Sequence, residues 1–358
     1  MAKGNYIGVN SVARKGKKMY IGVGGVARKV KKAYIGVNGV AKSFWSGTNP
    51  FYVIYDDAGS GKLYSGDAID SLGEMASFRY GSSSGMAESL ISGDYLFTVG
   101  SSKLFRISLA NGTVEELNPI SKLIANSVST YFNYYDIKKV GNTLVAVVCD
   151  DNSASSNNGA YVVYSTDNGN SWKYTRITDS YTSTAKIVYV NGVYYVLRFS
   201  ARQIWYSTDL VKWTMSSGSL LSSSYTVQGF CLFDNRVVVV STYNSKVYLN
   251  YSNENPTGSP TFTQKTVGSS SYTMNPPVVE NGIIFIPTKS TKVFYSTDLS
   301  SFSEMTLPSS ANAMYDVIYK DNQYIIGTES GICKGANLSS LVLSGAITDV
   351  KRILVQEG

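Results

Sequence analysis

Residues 186–215 read KIVYVNGVYYVLRFSARQIWYSTDLVKWTM and contain four short β-prone runs. The first and second runs flank Asn191-Gly192, a dipeptide typical of a two-residue hairpin turn. A loop leads to the third run, residues 204–207, and a turn at Asp209-Leu210 leads to the fourth, residues 212–215. Because the connections are short, we predict that these runs form one four-stranded antiparallel sheet.

The end of the third run recurs along the chain. Its best copies are the Tyr-Ser-Thr-Asp sequences that begin at Tyr164, Tyr206 and Tyr295. With the weaker copies included, the serine falls at Ser65, Ser108, Ser165, Ser207, Ser252 and Ser296, and a seventh copy has Gly335 in its place. The intervals are 43, 57, 42, 45, 44 and 39 residues, a length typical of β-propeller blades, so seven copies predict seven blades. The longest interval contains a polar insert, residues 150–159, which we expect to form one extended loop.

The two ends of the repeat region predict how the ring closes. The first blade begins with FYVIY at residues 51–55 and has no inner strand ahead of it. The chain ends with DVKRILVQ at residues 349–356, a strand without a blade of its own. We expect this strand to complete blade one, because an unpaired sheet edge would otherwise remain. The predicted fold is therefore an all-β, seven-bladed β-propeller over residues 48–358, closed by the C-terminal strand.

Residues 1–47 form a separate basic arm. Three copies of one unit recur with a period of 14 residues: YIGVNSVARK from Tyr6, YIGVGGVARK from Tyr20 and YIGVNGVAK from Tyr34. Each copy has two β-prone runs around a two-residue turn signal, which predicts a tight hairpin. Residues 1–50 hold ten of the 32 Lys and Arg residues and none of the 25 Asp and Glu residues, so the remainder has a net charge of 22 − 25 = −3. The arm could dock on an assembly, contact nucleic acid or act as a linker, and the regular spacing of Tyr, Gly and Val favours docking.

The arm resembles the N-termini of tail-associated and other structural proteins of phages and prophages of Gram-positive bacteria. In those proteins YIGVxGVARKVKK-type units precede unrelated C-terminal domains. The resemblance implies a virion component, made in the host cytoplasm without a signal peptide and present in several copies per particle. It implies docking on other virion proteins through Tyr6, Tyr20, Tyr34, Arg14, Arg28, Lys29, Lys31 and Lys32. Nucleic acid is the less favoured partner, and no membrane partner is expected because the apolar runs are only strand-length.

The composition argues against catalysis. The chain has no histidine, which removes Ser-His-Asp and Cys-His chemistry and His-ligated zinc. Its three cysteines are far apart and show no metal or disulfide spacing. We therefore expect a non-enzyme without cofactor or metal. A glycosidase with paired carboxylates remains the enzymatic alternative, with Asp56, Asp57, Asp150 and Asp151 as candidates.

One turn carries a second resemblance. The pattern Ser165-x-Asp167-x-Gly169-x-x-Trp172 resembles the Asp-box of sialidase-like propellers, whereas the other copies are one residue shorter or lack Gly and Trp. The resemblance implies a structural role, in which the hydroxyl and carboxylate bond the backbone N–H groups of the turn and the aromatic ring packs between strands. A sialidase would also need an arginine cluster and an Arg-Ile-Pro element, and the latter is missing from the sequence.

A tyrosine recurs where the chain enters successive inner strands. Tyr181, Tyr225 and Tyr272 are 44 and 47 residues apart, close to the blade period. Such tyrosines could encircle the channel mouth and stack on sugars, or they could simply pack against the next blade. The predicted ligand-binding residues are these three tyrosines together with Asp150, Asp151, Asn152, Asn157 and Asn158 of the polar insert.

These observations predict a phage virion protein, tail-associated, that displays a propeller to bind a host surface glycan or protein. One alternative is a purely structural or decoration protein whose propeller contacts other virion proteins. A glycan-degrading propeller enzyme is the other.

Overall fold

The computed structural model describes residues 51–57, 59–80, 88–120, 132–150, 158–180, 182, 184–216, 220–269, 274–344 and 347–356, and the strand backbones within residues 6–46. Side chains are described for the same residues except Asp57 and the strands of the arm. In this part of the chain, no helix is long and apolar enough to cross a membrane.

The arm contains three two-stranded hairpins. Their strands are β1 (Tyr6–Val9) with β2 (Val12–Lys15), β3 (Tyr20–Val23) with β4 (Val26–Lys29), and β5 (Lys32–Val37) with β6 (Val40–Ser46). Each pairing ends with two valines opposite one another, as in Val9 opposite Val12, which leaves two residues between the strands. The hairpins predicted from the 14-residue repeat are confirmed, whereas the side chains of the predicted docking residues lie outside the described ones.

Seven four-stranded antiparallel sheets form the blades. Blade 1 has β7 (Phe51–Asp57), β8 (Ser60–Gly66) and β9 (Gly73–Arg79) as three of its four strands. Blade 2 contains β10 (Glu88–Ser92), β11 (Tyr95–Gly100), β12 (Lys103–Ser108) and β13 (Val114–Glu116). Blade 3 contains β14 (Phe132–Val140), β15 (Thr143–Asp150), β16 (Gly159–Ser165) and β17 (Lys173–Thr178). Blades 4 and 5 contain β18 (Ala185–Val190), β19 (Val193–Arg198), β20 (Gln203–Ser207), β21 (Thr214–Met215); and β22 (Thr226–Phe233), β23 (Arg236–Tyr243), β24 (Lys246–Ser252), β25 (Phe262–Ser269). Blades 6 and 7 contain β26 (Val278–Glu280), β27 (Ile283–Pro287), β28 (Lys292–Ser296), β29 (Ser303–Thr306); and β30 (Met314–Lys320), β31 (Gln323–Thr328), β32 (Gly331–Gly335), β33 (Val342–Ser344).

The last strand, β34 (Val350–Val355), closes the ring as predicted. It joins blade 1 as the innermost strand, antiparallel to β7, with Val355 opposite Phe51 and Ile353 opposite Val53. The inner strands of successive blades contact one another all the way round, and β34 contacts both β30 and β10. Both ends of the propeller sequence therefore meet in one sheet, in which β34 pairs with the inner edge of β7.

The core consists of apolar layers between neighbouring blades. Along β15, Ala146 and Val148 pack towards blade 2, whereas Val147 and Cys149 pack towards blade 4. Because successive side chains of a strand point to opposite faces, both faces of the central strands are buried. This explains why they read as continuous apolar runs instead of alternating ones.

The predicted turn after the third strand is held by side chains. In blade 3, Ser165 Oγ accepts a hydrogen bond from the Gly169 N–H at 2.8 Å, and Asp167 Oδ1 accepts one from the Ser171 N–H at 2.8 Å. Trp172 Nε1 donates to the Gly169 carbonyl at 3.1 Å. Hydrogen bonds from the Ser171 hydroxyl and N–H lower the pKa of Asp167 to about 2. These contacts give Asp167 the structural role that its sequence context predicts.

The shorter copies of this turn place leucine in the left-handed region. Leu210 has a φ of +64° and Leu299 a φ of +60°. Their N–H groups donate to Ser207 and Ser296, each at 3.0 Å. The backbone conformation costs roughly 1–2 kcal/mol for a non-glycine residue. Both side chains are buried in the layers between blades, which contributes about 1.5–3 kcal/mol and offsets that cost.

Candidate ligand-binding face and channel

Arginines of blade 4 hold the connections between blades on one face of the propeller. Arg202 lies in the β19–β20 hairpin, and its guanidinium donates to the Tyr225 and Ser223 carbonyls, both at 2.8 Å. These two residues belong to the connection from blade 4 to blade 5. The β19–β20 hairpin of blade 4 is therefore bonded to the chain that enters blade 5, so these two loops lie side by side.

Tyr225 lies in a group of three tyrosine rings at this connection. Its ring centroid is 5.0 Å from that of Tyr243 and 5.3 Å from that of Tyr248, the latter edge-on. Tyr225 is half-buried and also packs on the apolar layer between blades 4 and 5. Tyr243 is 37% exposed. Tyr225 therefore both packs between blades and supports an exposed aromatic ring.

Arg198 holds the preceding connection in a similar way. Its side chain is buried, and Nε donates to Thr182 Oγ1 at 2.8 Å while Nη2 donates to the Ser180 carbonyl at 3.3 Å. Burial lowers its pKa. These contacts fix the residues on both sides of Tyr181. Tyr181 itself, like Tyr272, lies outside the described residues.

The polar insert is anchored at both ends. Asp150 ends β15 opposite Gly159 of β16 and is completely buried, so it belongs to the sheet and not to the loop where the sequence placed it. Asn158 is half-buried, and its carbonyl accepts a hydrogen bond from Arg176. The Arg176 guanidinium in turn lies 5.7 Å from the centroid of the Tyr161 ring. The other predicted wall residues, Asp151, Asn152 and Asn157, lie outside the described residues.

A chain of ion pairs crosses the inner strands of blades 7, 1, 2 and 3. Arg352 Nη1 lies 3.1 Å from Asp316 Oδ1, and the same guanidinium pairs with Glu88. Lys138 Nζ then lies 3.1 Å from Glu88 Oε2 and 3.2 Å from Asp136 Oδ1. Acidic and basic groups alternate along this chain, so each of them is compensated within the protein when it is ionised.

The inner carboxylates also join each blade to the next through the backbone. Asp136 accepts a hydrogen bond from the Ile187 N–H at 2.9 Å, and Asp316 accepts one from the Ile353 N–H at 2.8 Å. Glu280 makes the same type of contact with the Tyr319 N–H at 2.8 Å. These donors belong to the next blade in the ring, so the carboxylates stabilise the contacts between blades.

Sequence reasoning missed this network, although a signal was present. The pair Tyr135-Asp136 in blade 3 recurs as Tyr315-Asp316 in blade 7, and a register shift occurs at both places.

Burial raises the pKa of Asp316 to about 7 and lowers that of Arg352 to about 10. Among the described residues, no group of three or more Cys, Asp and Glu side chains is placed to hold a metal ion.

The chain matches no protein-family model and no curated protein. Among solved structures it is similar to a streptogramin B lyase, with a TM-score of 0.57 at 14% identity over 83% of this chain and 94% of the lyase. It is also similar to Sqt1 from Saccharomyces cerevisiae (TM-score 0.56, 10% identity, 84% of each chain). A third similar structure is YCF48 bound to D1 peptide (TM-score 0.53, 12% identity, 75% of this chain and 90% of YCF48).

These similarities show the fold alone. The class of protein is a seven-bladed β-propeller, a fold that this chain shares with a lyase and with a protein that binds a peptide. Its function has to be inferred from its own residues.

Proposed function

We propose that this chain is a phage virion protein, tail-associated, whose arm docks on other virion proteins and whose propeller binds a host surface glycan. The arm supports the docking role, because its three in-register basic repeats resemble those at the N-termini of phage virion proteins. The observation that carries the second half is the group of Tyr225, Tyr243 and Tyr248, which Arg202 bonds to the neighbouring blade.

A rigid, partly exposed aromatic group suits a sugar ligand. The apolar face of a sugar ring stacks on an aromatic ring, and the phenol hydroxyl can exchange hydrogen bonds with sugar hydroxyls. Tyr243 is exposed while its neighbours are partly buried, so the exposed ring is positioned before any ligand arrives. Preorganisation of this kind lowers the entropic cost of binding.

We further propose that the propeller is not an enzyme. A variant of virginiamycin B lyase from Staphylococcus aureus with a histidine replaced by alanine is catalytically inactive, and this chain has no histidine. Two of the four carboxylates considered for a glycosidase, Asp56 and Asp150, are buried in the sheets. Both observations favour binding over bond cleavage.

A protein ligand is the second candidate, because the similar propeller YCF48 binds a peptide. In that case the aromatic face would contact a host surface protein, or another virion protein in a purely structural role. Binding measurements separate these outcomes from the glycan function.

The binding test uses the full chain on an array of bacterial surface glycans, with parallel analysis of released sugars. We expect retention of glycan without product. Tyr225→Ala should weaken binding about fivefold, the effect of losing a contact worth about 1 kcal/mol. The matched control is Tyr174→Ala, because Tyr174 is 41% exposed but lies on the outer strand β17.

Three outcomes would contradict the proposal. If Tyr225→Ala lowers the melting temperature but leaves binding per folded molecule unchanged, the tyrosine is a packing residue only. Released sugar would make the chain an enzyme. Failure of every glycan, with capture of a virion protein, would favour the structural role.

A separate experiment tests whether the arm docks on other virion proteins. A chain that starts at Gly47 should fold but should be missing from assembled particles. Because the arm is basic, high salt should also weaken its attachment. Incorporation of the shortened chain at the normal copy number would refute docking through the arm.

A further inference from the structure

A cleft of about 630 Å³ lies between blades 7 and 1. Blade 1 contributes Tyr55, Lys62, Tyr64 and Leu72 to its walls, and Ile332 and Thr348 come from blade 7 and from the connection to β34. Its volume is within the range of small-molecule sites. The cleft also reaches Ser60 beside the β7–β8 turn. One end of the cleft is therefore bounded by a turn between strands and by a connection between blades, as is the group of Tyr225, Tyr243 and Tyr248 between blades 4 and 5.

The internal repeat places a smaller residue at this interface than at the interface between blades 2 and 3. Leu72 follows Ser65 by seven residues, as Trp172 follows Ser165. Trp172 packs into the apolar layer between blades 2 and 3, and Leu72 packs into the corresponding layer between blades 7 and 1. A leucine is much smaller than a tryptophan, so it leaves space that the indole ring fills elsewhere.

A second cleft supports this explanation. It has a volume of about 470 Å³, lies between blades 6 and 7, and is lined by Leu341. Leu341 follows Gly335 by six residues, as Trp213 follows Ser207. Both clefts therefore lie where a leucine takes the place of an aromatic residue.

The walls of the larger cleft combine aromatic rings with hydroxyl groups. Tyr55 and Tyr64 lie on the face of blade 1 that looks towards blade 7, and the Lys62 ammonium is near both phenols. Ser60, Ser344 and Thr348 add hydroxyl groups. A ligand that matches these walls needs apolar faces and many hydroxyls, which is the chemistry of a saccharide.

The charges around the cleft are already paired. Lys62 Nζ donates to Glu74 Oε2 at 3.0 Å, and Lys334 Nζ donates to Asp70 at 2.5 Å. A charged ligand would have to compete with these ion pairs. A neutral ligand can instead use the remaining donor and acceptor capacity of the ammonium and carboxylate groups.

We propose that the cleft between blades 7 and 1 is a second glycan subsite, which binds a neutral oligosaccharide against Tyr55 and Tyr64. This inference rests on the proposed glycan-binding function. It assigns a ligand class, neutral oligosaccharides, and a binding position between blades 7 and 1 that the recurring tyrosines do not predict.

The test fills the cleft with the residue that the repeat uses elsewhere. Leu72→Trp should fold with an unchanged or raised melting temperature. Leu341→Trp, which fills the smaller cleft, is the matched control. Both variants and the unmodified full chain are screened on an array of neutral and acidic oligosaccharides, followed by titration calorimetry with the best neutral trisaccharide. We expect Leu72→Trp to weaken neutral-sugar binding at least tenfold and Leu341→Trp to change it less than twofold.

A second variant protects the test against misfolding of the first. Tyr64→Ala removes one aromatic wall without filling the cleft and should also weaken binding, whereas Tyr64→Phe should retain most of it. If Leu72→Trp and Tyr64→Ala fold and bind normally while Tyr225→Ala does not, the cleft is no subsite and the proposed function stands. If the unmodified chain binds acidic sugars selectively and Leu72→Trp abolishes that binding, the proposal that the ligand is a neutral oligosaccharide is overturned. If the unmodified chain binds no glycan, the proposed function itself fails.

Discussion

The interface between blades 3 and 4 and the interface between blades 7 and 1 share their inner contacts and differ at the rim. Near the channel, Asp136 and Asp316 follow equivalent register shifts, and each accepts a hydrogen bond from a backbone N–H of the next blade. At the rim, Trp213 packs between blades 3 and 4, where its indole N–H donates to the Leu210 carbonyl at 3.2 Å. The corresponding residue between blades 7 and 1 is Leu72, and a cleft lies beside it.

This difference shows which part of a blade interface is free to vary. The inner contacts are short and buried, so losing one leaves an unsatisfied polar group in every case. The rim contact is a packing contact at the protein surface, where water can occupy the space of a missing ring. Variation between blades is therefore tolerated at the rim, and there a ligand can replace the water.

The closing interface should be the most sensitive to truncation. Deleting residues 349–358 removes β34, exposes the edge of β7 and deletes Arg352 from the ion-pair chain. We expect aggregation or loss of the folded state in a thermal melt with light-scattering detection. Deleting residues 1–46 is the control and should leave the melt unchanged. A soluble C-terminal truncation that melts at the normal temperature would contradict the closure by β34.

The two inner contacts should be nearly equivalent in energy. Asp316→Ala leaves the Ile353 N–H and part of the Arg352 guanidinium without a partner. Asp136→Ala leaves the Ile187 N–H without a partner and removes one of the two ion pairs of Lys138, which keeps its pair with Glu88. Each should lower the free energy of unfolding by about 3 kcal/mol, as measured by urea denaturation at pH 7. A cost below about 1 kcal/mol for one of them would show that the two interfaces differ at the channel as well.

At the rim, Trp213→Leu copies the leucine of blade 1 into blade 4. It removes the indole ring and its hydrogen bond to the Leu210 carbonyl. We expect a loss of about 2 kcal/mol in the free energy of unfolding, less than for a truncation to alanine because the leucine still fills part of the space. A new cleft between blades 3 and 4 in the structure of the variant would confirm the comparison. An unchanged stability would indicate that the aromatic residue is dispensable in a filled interface too.

The smallest expected effect is a change in pH dependence. Burial raises the folded-state pKa of Asp316 to about 7 from its ordinary value of 3.8, so its contribution to stability is present at low pH and is lost as pH rises from about 4 to 7. Asparagine resembles the protonated acid, so Asp316→Asn should change the unfolding free energy by less than about 1 kcal/mol at pH 5. The variant should then gain stability relative to the unmodified chain between pH 5 and pH 8. Parallel pH profiles for the two proteins would show that Asp316 does not titrate in this range.

The blade count and the closure were predictable because each depends on local patterns that repeat. Seven copies of one strand-and-turn pattern mark seven sheets, and a surplus strand at one end matches a missing strand at the other. The turn aspartates were predictable for the same reason, since Asp167 and its hydrogen-bond partners lie within a few residues of one another. The three hairpins of the arm likewise follow from their two-residue turn signals.

The candidate site was less accessible to sequence reasoning. Tyr225 was predicted from its periodicity, but its contacts with Tyr243 and Tyr248 depend on the pairing of β23 with β24. Asp150 was predicted in a loop because it opens the polar insert, whereas strand β15 extends through it and buries it. The sequence assigned no role to the arginines of blade 4, which hold backbone carbonyls of the connections between blades.

The sequence by itself determined the architecture, namely an all-β propeller of seven blades with a basic hairpin arm and a C-terminal strand that closes the ring. Only the tertiary structure decided how the blades adhere and where space remains between them. Glu88 and Arg352 are 264 residues apart in the chain and pair across two blades, and Leu72 borders a cleft only because blade 7 stands opposite it. Hydrogen bonds within a turn are set by residue order, whereas ion pairs and cavities between blades are set by which surfaces the closed ring brings together.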